Sequence, residues 1–497
     1  MMVRRRIQRD SALVLSLMLL VAGAGCSLVP AYERPQAPVA ETWADSPAPA
    51  DSAGDAAVAD MPWQEFVQDA SLRELIEMAL AGNRDLRVAT QNIELARAQY
   101  RIRRADQLPS LGLSASGDRG TTNPAMGVTD VASTYTVGLG ISAWELDFFG
   151  RVAALKDAAL ASYLATEEAR KAAQISLIAS VTSTWLQLKT DTELQALAAR
   201  TLATREQSLE LMQMRVEGGA SSALDLHQSE SLVAGARATH AQQRRRRAQD
   251  LNLLALLVGQ PIPGRLVPAV PETPGQGPQG DAESLVVAVA SAADLPAFTE
   301  VPSDLSSELL LRRPDIRAAE QQLIAANANI GAARANFFPR ITLTGSLGRV
   351  SAELDGLFGS EGTRFWSVGA GLTAPIFDMG RNRANLAAAK AAREIAVAHY
   401  EKAIQAGFRE VADALIARAT YADQLAAQIA QTAAERERFR LAELRYRNGV
   451  ASYMDLLDAQ RSLFAIEQLL AQTRLAQRVS EVQLYMALGG GWSEPQP

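Results

Sequence analysis

The 497-residue sequence predicts a mostly α-helical protein made of one tandem-duplicated unit, each copy carrying a β-hairpin with a membrane-compatible face. Three observations predict it. A constant offset of 230 residues links Asp85-Leu86-Arg87 to Asp315-Ile316-Arg317, Pro109 to Pro339, Gly150-Arg151 to Gly380-Arg381, Asp225-Leu226 to Asp455-Leu456 and Gly259 to Gly489. An offset kept over so long a stretch means one structural unit written twice. Within each copy a two-residue apolar alternation interrupts helical spacing. After each alternating stretch comes a proline-free helical run, 152–216 and 382–447.

Composition removes several alternatives. Hydrophobic residues are 48% and charged residues 21%, a globular balance. The net charge of −6 argues against nucleic acid as a partner. One cysteine excludes an intrachain disulfide framework, and His227, His240 and His399 are too scattered for a paired metal motif. No Walker A or GxSxG pattern is present, so neither an enzyme nor a cofactor is expected.

In chain order, residues 1–25 read as a secretory signal. Arg4, Arg5, Arg6 and Arg9 precede an apolar run that ends in small residues. Cys26 follows in a context resembling a bacterial lipobox, which implies lipidation, although Gly23 stands where Leu is usual. Ordinary cleavage after Ala24 is the alternative. Residues 26–60, rich in Pro, Ala and Asp, read as a lipid-anchored extended tether.

The first repeat, 61–260, opens with a helix over 70–107 and a β-hairpin over 109–144. Leu111, Leu113 and Ala115 alternate with small residues, as do Tyr135, Val137, Leu139, Ile141 and Ala143. A linker over 261–301 leads to the second repeat, 302–490, and a tail, 491–497. Its hairpin over 339–375 places Ile341, Leu343, Leu347, Trp366, Val368 and Leu372 on one face. Ten-residue strands with one apolar and one small polar face fit a lipid-facing barrel. A half-buried soluble sheet has the same alternation. Four strands cannot span lipid alone, because their edges would be unpaired. Three copies would give twelve strands and an open lumen, which the small Gly/Ser/Thr face favours over eight.

The long helices stop at Gly218-Gly219 and Asn448-Gly449, left-handed terminators. Ser222 with Asp225, and Ser452 with Asp455, then read as capping boxes opening return helices over 222–258 and 452–488. A run of some 65 helical residues extends about 100 Å, and the return helix plus the helix before the hairpin match it. Ile178, Val181, Trp185 and Leu188 form a narrow seam such as coiled coils use. Asp147 and Asp378 read as caps at the strand-to-helix change, and Arg244 to Arg247, which circle a helix, as a solvated or ion-paired surface rather than a basic docking patch.

Residues 144–151 (Trp-Glu-Leu-Asp-Phe-Phe-Gly-Arg), the motif Arg312-Arg313-Pro314-Asp315-Ile316-Arg317, and the stretch from Tyr446-Arg447-Asn448-Gly449 to Leu457-Asp458-Ala459-Gln460 carry a resemblance. The chain resembles the TolC-like outer-membrane efflux factors over about residues 26–490, and within them the lipoprotein (NodT) branch serving resistance-nodulation-division pumps. That resemblance implies a homotrimer with a twelve-stranded barrel in outer-membrane lipid and a twelve-helix tunnel through the periplasm. It also implies a periplasmic adaptor docked at the hairpin tips, around Gly218, Gly219, Ser221, Ser222, Asn448, Gly449 and Ser452, and an inner-membrane transporter.

It implies a periplasmic gate as well, with Asp455 and Asp458 ringing the entrance, Asp225 in an inter-helix partner position and Tyr446 bridging. Where some members place a basic residue beside that tyrosine, Ala451 stands here. Asp458 has no capping duty, and its repeat counterpart is Gln228. The function expected is a passive exit duct of a tripartite pump exporting drugs or other small molecules. The same duct could serve protein secretion or heavy-metal efflux. A periplasmic coiled-coil adaptor is a further alternative, but an adaptor would not need two amphipathic hairpins at matching positions.

Overall fold

The computed structural model describes residues 27–43, 61–121, 131–270, 295–301, 306–359 and 362–492. The signal segment, Cys26 and most of the tail lie outside the described residues. The elements in order are α1 (Trp63–Phe66), α2 (Ala70–Gly82), α3 (Arg84–Ala105), β1 (Leu111–Thr121), β2 (Val131–Leu146), α4 (Arg151–Glu217) and α5 (Ala223–Val258). The second copy supplies α6 (Pro314–Ala335), β3 (Arg340–Ser351), β4 (Thr363–Thr373), α7 (Arg381–Arg447) and α8 (Tyr453–Ala487). The chain divides into two compact units. One takes 1–37, 91–167 and 317–402, the other 38–90, 168–316 and 403–497.

The first unit holds one antiparallel sheet in the order β1-β2-β3-β4. Its register explains why one face is apolar. Leu113 pairs with Leu139, Leu139 with Leu347, and Leu347 with Trp366, so these side chains share a face. Gly112, Gly140, Ser346 and Ser367 form part of the opposite one, where the two serine hydroxyls are 2.7 Å apart. The apolar face is open: Leu113, Trp366 and Val368 keep 74%, 76% and 77% of their surface. The expectation that Ala143 continues the β2 alternation is corrected. The register shifts between Ile141 and Trp144, and Ala143 takes φ 49°. That bulge absorbs one residue, so Trp144 and Leu146 face the same way as Ile141. Trp144 then donates through its indole to the Gln107 carbonyl at 3.2 Å.

Residues 27–37 of this unit form neither helix nor strand and are held by side chains of α6. The Leu28 and Pro30 carbonyls accept from Arg334 and Asn327 at 3.1 and 2.8 Å. Arg34 makes a two-pronged ion pair with Glu320 at 2.7 and 3.0 Å, and Tyr32 donates to the same carboxylate at 3.0 Å. Val29 lies so close to Gly331 that a Cβ there would sit 2.4 Å from Val29 Cγ2. The repeat counterparts of Glu320, Asn327 and Gly331 are Thr90, Arg97 and Arg101. Only the second copy is cut to receive the strap.

In the second unit the expected single helix over 70–107 is broken. Asn83, 6% exposed, separates α2 from α3: its Oδ1 caps the Leu86 amide at 2.9 Å and its Nδ2 reaches the Leu257 carbonyl at 2.8 Å. The matching position is Arg313, which donates to the Ala487 carbonyl at 2.7 Å, the counterpart of Leu257. Arg313 also binds Asp315 at 2.7 Å and Glu410 at 2.8 Å, a fuller set than Asn83 can make. Its pKa is raised: burial opposes the charge, and the two carboxylates outweigh that.

The core of this unit is aromatic and aliphatic. Phe66 stacks between Phe298 and Tyr485 at 4.8 and 4.0 Å, and Trp43 stacks on Phe408 while donating to its carbonyl at 3.0 Å. The predicted seam of Ile178, Val181, Trp185 and Leu188 is buried. Arg247, the last of the arginine run, donates to Thr192 and to the Pro268 carbonyl at 3.1 and 2.9 Å. No helix among the described residues is long and apolar enough to cross a membrane.

The hairpin tips as candidate functional site

Both tips lie in the second unit and are built by local backbone chemistry. α4 ends in a Schellman-type turn: Ala220 donates to the Arg215 carbonyl at 2.7 Å, and Gly219 sits at φ 70°. α7 ends the same way, Val450 donating to Arg445 at 2.9 Å with Gly449 at φ 71°. A Cβ at either glycine would strain the left-handed turn. Asn448 adds a side-chain bond to the Leu444 carbonyl at 2.7 Å. Each return helix opens on a complete capping box, Ser222 with Asp225 and Ser452 with Asp455. Asp225 also accepts from Ser221 at 3.1 Å. The Ser222 hydroxyl and amide hold its carboxyl below the usual range.

Asp225 Oδ2 accepts all three of these bonds, from Ser221 and from the Ser222 hydroxyl and amide. Tyr446 is met by Arg215 of α4, which hydrogen-bonds its hydroxyl and lies 5.4 Å from its ring centre. Ala451 therefore does not leave Tyr446 without a basic partner. Tyr446 in turn tilts against Tyr453 of α8 at 5.5 Å, and the Tyr453 hydroxyl meets Ser229 of α5 at 2.7 Å. Burial pushes the Tyr453 phenol up. One line of contacts thus runs from α4 through α7 and α8 to α5.

Asp458 is not a bare carboxylate, since Arg438 of α7 pairs with it and also reaches Glu435 at 3.1 Å. Asp455 and Asp458 share no partner: one bonds to Ser452, the other to Arg438. Farther along the hairpins, Arg237 binds Glu206 at 2.7 Å, and at the equivalent positions Arg436 binds Glu467 at 2.9 Å. The two copies keep the bridge but exchange its charges. α4 and α5 also bring Asp191 and Asp250 together. Burial and then the hydrogen bond to Asp191 push Asp250 up to about 7. No group of three metal-ligating side chains occurs among the described residues.

Arg215, Ser229, Arg438 and Tyr453 are the tip residues that sequence reading missed. A signal existed for one of them. Tyr446, Tyr453 and Asp458 stand where the first copy has Val216, Ala223 and Gln228, so comparison of the copies marks the positions at which the second tip acquired polar reach.

The sequence profile of the family described as outer membrane efflux protein matches residues 75–260 and 305–490, two segments offset by the repeat length. The probable efflux pump outer membrane protein TtgC of Pseudomonas putida is 44% identical over 97% of this chain and 96% of its own. Outer membrane protein OprJ of Pseudomonas aeruginosa is 44% identical, with 97% and 96% covered. A crystal structure of a membrane protein from Pseudomonas aeruginosa superimposes with a TM-score of 0.81 at 43% identity, covering 95% of this chain and 99% of that one. The open-state MtrE outer membrane channel of Neisseria gonorrhoeae gives 0.79 at 38%, covering 94% and 99%.

Proposed function

The chain belongs to the outer membrane efflux protein family, and on that premise we propose that it is the outer-membrane exit duct of a tripartite efflux pump, working as a homotrimer. It is a transport channel and not an enzyme. The observation that carries the reading is the four-stranded sheet, whose apolar face is open and whose outer strands β1 and β4 each have an edge unpaired among the described residues. Such edges are tolerated in lipid only if other strands pair with them. Closure by two further copies gives twelve strands and an open lumen lined by the Gly/Ser/Thr face.

Relatives are named for toluene, solvent and antibiotic efflux, which favours small apolar or amphiphilic cargo here. The periplasmic adaptor docks on the tips around Gly218-Gly219 and Asn448-Gly449, and an inner-membrane resistance-nodulation-division transporter supplies the energy. The closed gate is held by the Arg215–Tyr446 contact and by acidic residues Asp455 and Asp458 repeated about the threefold axis. Cys26, outside the described residues, carries the lipid anchor. In support, Leu28 is bonded to Arg334, six residues before strand β3 begins. Intact mass of the mature protein tests this: an acylated N-terminal cysteine is expected, and an unmodified chain starting at Gly25 would overturn it.

Expression in a strain lacking its own exit ducts, together with a periplasmic adaptor and a resistance-nodulation-division transporter, tests the function. Restored resistance to an antibiotic or toluene is the expected result. Sensitivity unchanged by a correctly inserted protein would contradict it.

A further inference from the structure

The register places four helix–strand junctions at one end of the sheet. β1 and β3 begin there, and β2 and β4 end there, since Leu111 pairs with Ile141, Leu146 with Ile341 and Arg340 with Thr373. Two properties coincide at that end, both within the first unit. One is exposed apolar surface: Leu108, Phe337, Ile376 and Phe377 keep 70%, 42%, 96% and 80% of theirs. The other is positive charge. Residues 101–110, 145–151, 334–340 and 373–383 carry eight arginines, no lysine and four carboxylates, in a chain whose net charge is −6.

The carboxylates are mostly occupied internally. Glu145 is paired with Arg151 at 2.6 Å, while Asp147 and Asp378 cap the Ala153 and Asn382 amides at 2.7 and 2.8 Å. Asp106 alone faces outward, 3.4 Å from Arg103. Arg101, Arg104 and Arg383 are exposed and have no ionic partner among the described residues. Cations immediately beside an apolar belt suit a layer in which hydrocarbon gives way to phosphate headgroups.

We propose that this arginine collar binds the anionic phospholipid headgroups of the periplasmic leaflet, fixing the depth of the sheet in the membrane and selecting acidic lipid around it. This rests on the outer-membrane duct reading. Arginine suits the role because its planar fork grips phosphate oxygens in pairs. Continuity with the strap supports the same placement, because Arg334, which holds the Leu28 carbonyl, stands in the last turn of α6 at this junction.

The test uses the full-length protein reconstituted in nanodiscs of phosphatidylcholine containing cardiolipin, with native mass spectrometry of the lipids retained on release. Wild type should keep cardiolipin in excess of its bulk fraction. Arg101→Gln, Arg104→Gln and Arg383→Gln should each lower that enrichment by up to about fivefold, the worth of one basic group near an anionic surface. Arg119→Gln, at the far end of β1, should leave it unchanged. Insertion without cardiolipin enrichment, or enrichment equal in wild type and the triple variant, overturns the collar and spares the duct. Failure to insert at any lipid composition overturns the duct reading and the collar with it.

Discussion

Replacing Tyr446 by Phe removes one hydroxyl from the line of contacts that crosses all four helices at the tips. The ring remains, so the cation–π contact with Arg215 persists and the packing on Tyr453 is unchanged. What is lost is the hydrogen bond from the guanidinium, at a site accessible to solvent. Exposure reduces a charge-assisted bond of this kind to about 0.5–1 kcal/mol. If three copies release together, the closed state loses ~1.5–3 kcal/mol, which raises the open-to-closed ratio roughly 10- to 150-fold. Arg215→Gln removes the bond and the cation–π contact, a further ~0.5–1 kcal/mol per chain, and should open more often still. The double variant should resemble Arg215→Gln, because both changes break the same link. Single-channel recording in planar bilayers reads the open fraction directly. Closed-state occupancy equal to wild type in both single variants would refute the assignment of this contact as a latch.

Three further outcomes follow from the geometry. Asp250→Asn should stabilise the protein at pH 8 by about 1–2 kcal/mol: a rise from 3.8 to about 7 corresponds at most to ~4 kcal/mol, less after solvent screening. Because the folded pKa is the raised one, wild-type stability from this group is lost as pH climbs from about 4 to 7. The gap should therefore vanish below about pH 4 in thermal unfolding. Glu320→Ala should release the strap, so that amide exchange across 27–37 quickens about tenfold while 223–258 is unaffected, consistent with losing about 1–2 kcal/mol of half-exposed ion pairing. Asp458→Ala should weaken cation selectivity and divalent block, and Gln228→Ala should not. Equal effects would mean the carboxylate serves only Arg438.

What was legible in the sequence was what local backbone chemistry decides. Gly219 and Gly449 stop helices because few other residues tolerate positive φ, and Ser222 and Ser452 start them because a hydroxyl three residues before an aspartate closes a ring of bonds. The alternation of strands was legible too, with one failure. Ala143 kept the apolar phase on paper, but only the partner strand reveals that one residue is bulged out. The strap was unreadable for a different reason: Arg34 and Glu320 are 286 residues apart, and nothing local marks either as a partner.

The tip contacts fall between these cases. Tyr446 was legible through resemblance, but its partner depended on which helix lies beside α7, and that is a tertiary fact. The exchanged bridges, Glu206 with Arg237 and Arg436 with Glu467, join residues 31 apart in both copies. Their like-for-unlike pattern becomes visible once the copies are aligned. It has a physical consequence, since pairing a long helix with the return helix of the other copy in the same register would set like charges against each other.

Native mass spectrometry of the full chain released from detergent bears most directly on the duct. The unpaired edges of β1 and β4 predict a trimer that retains its β-content and no stable folded monomer. A monomer with the full β-signal would mean the sheet is complete in one chain, which contradicts a barrel closed between subunits.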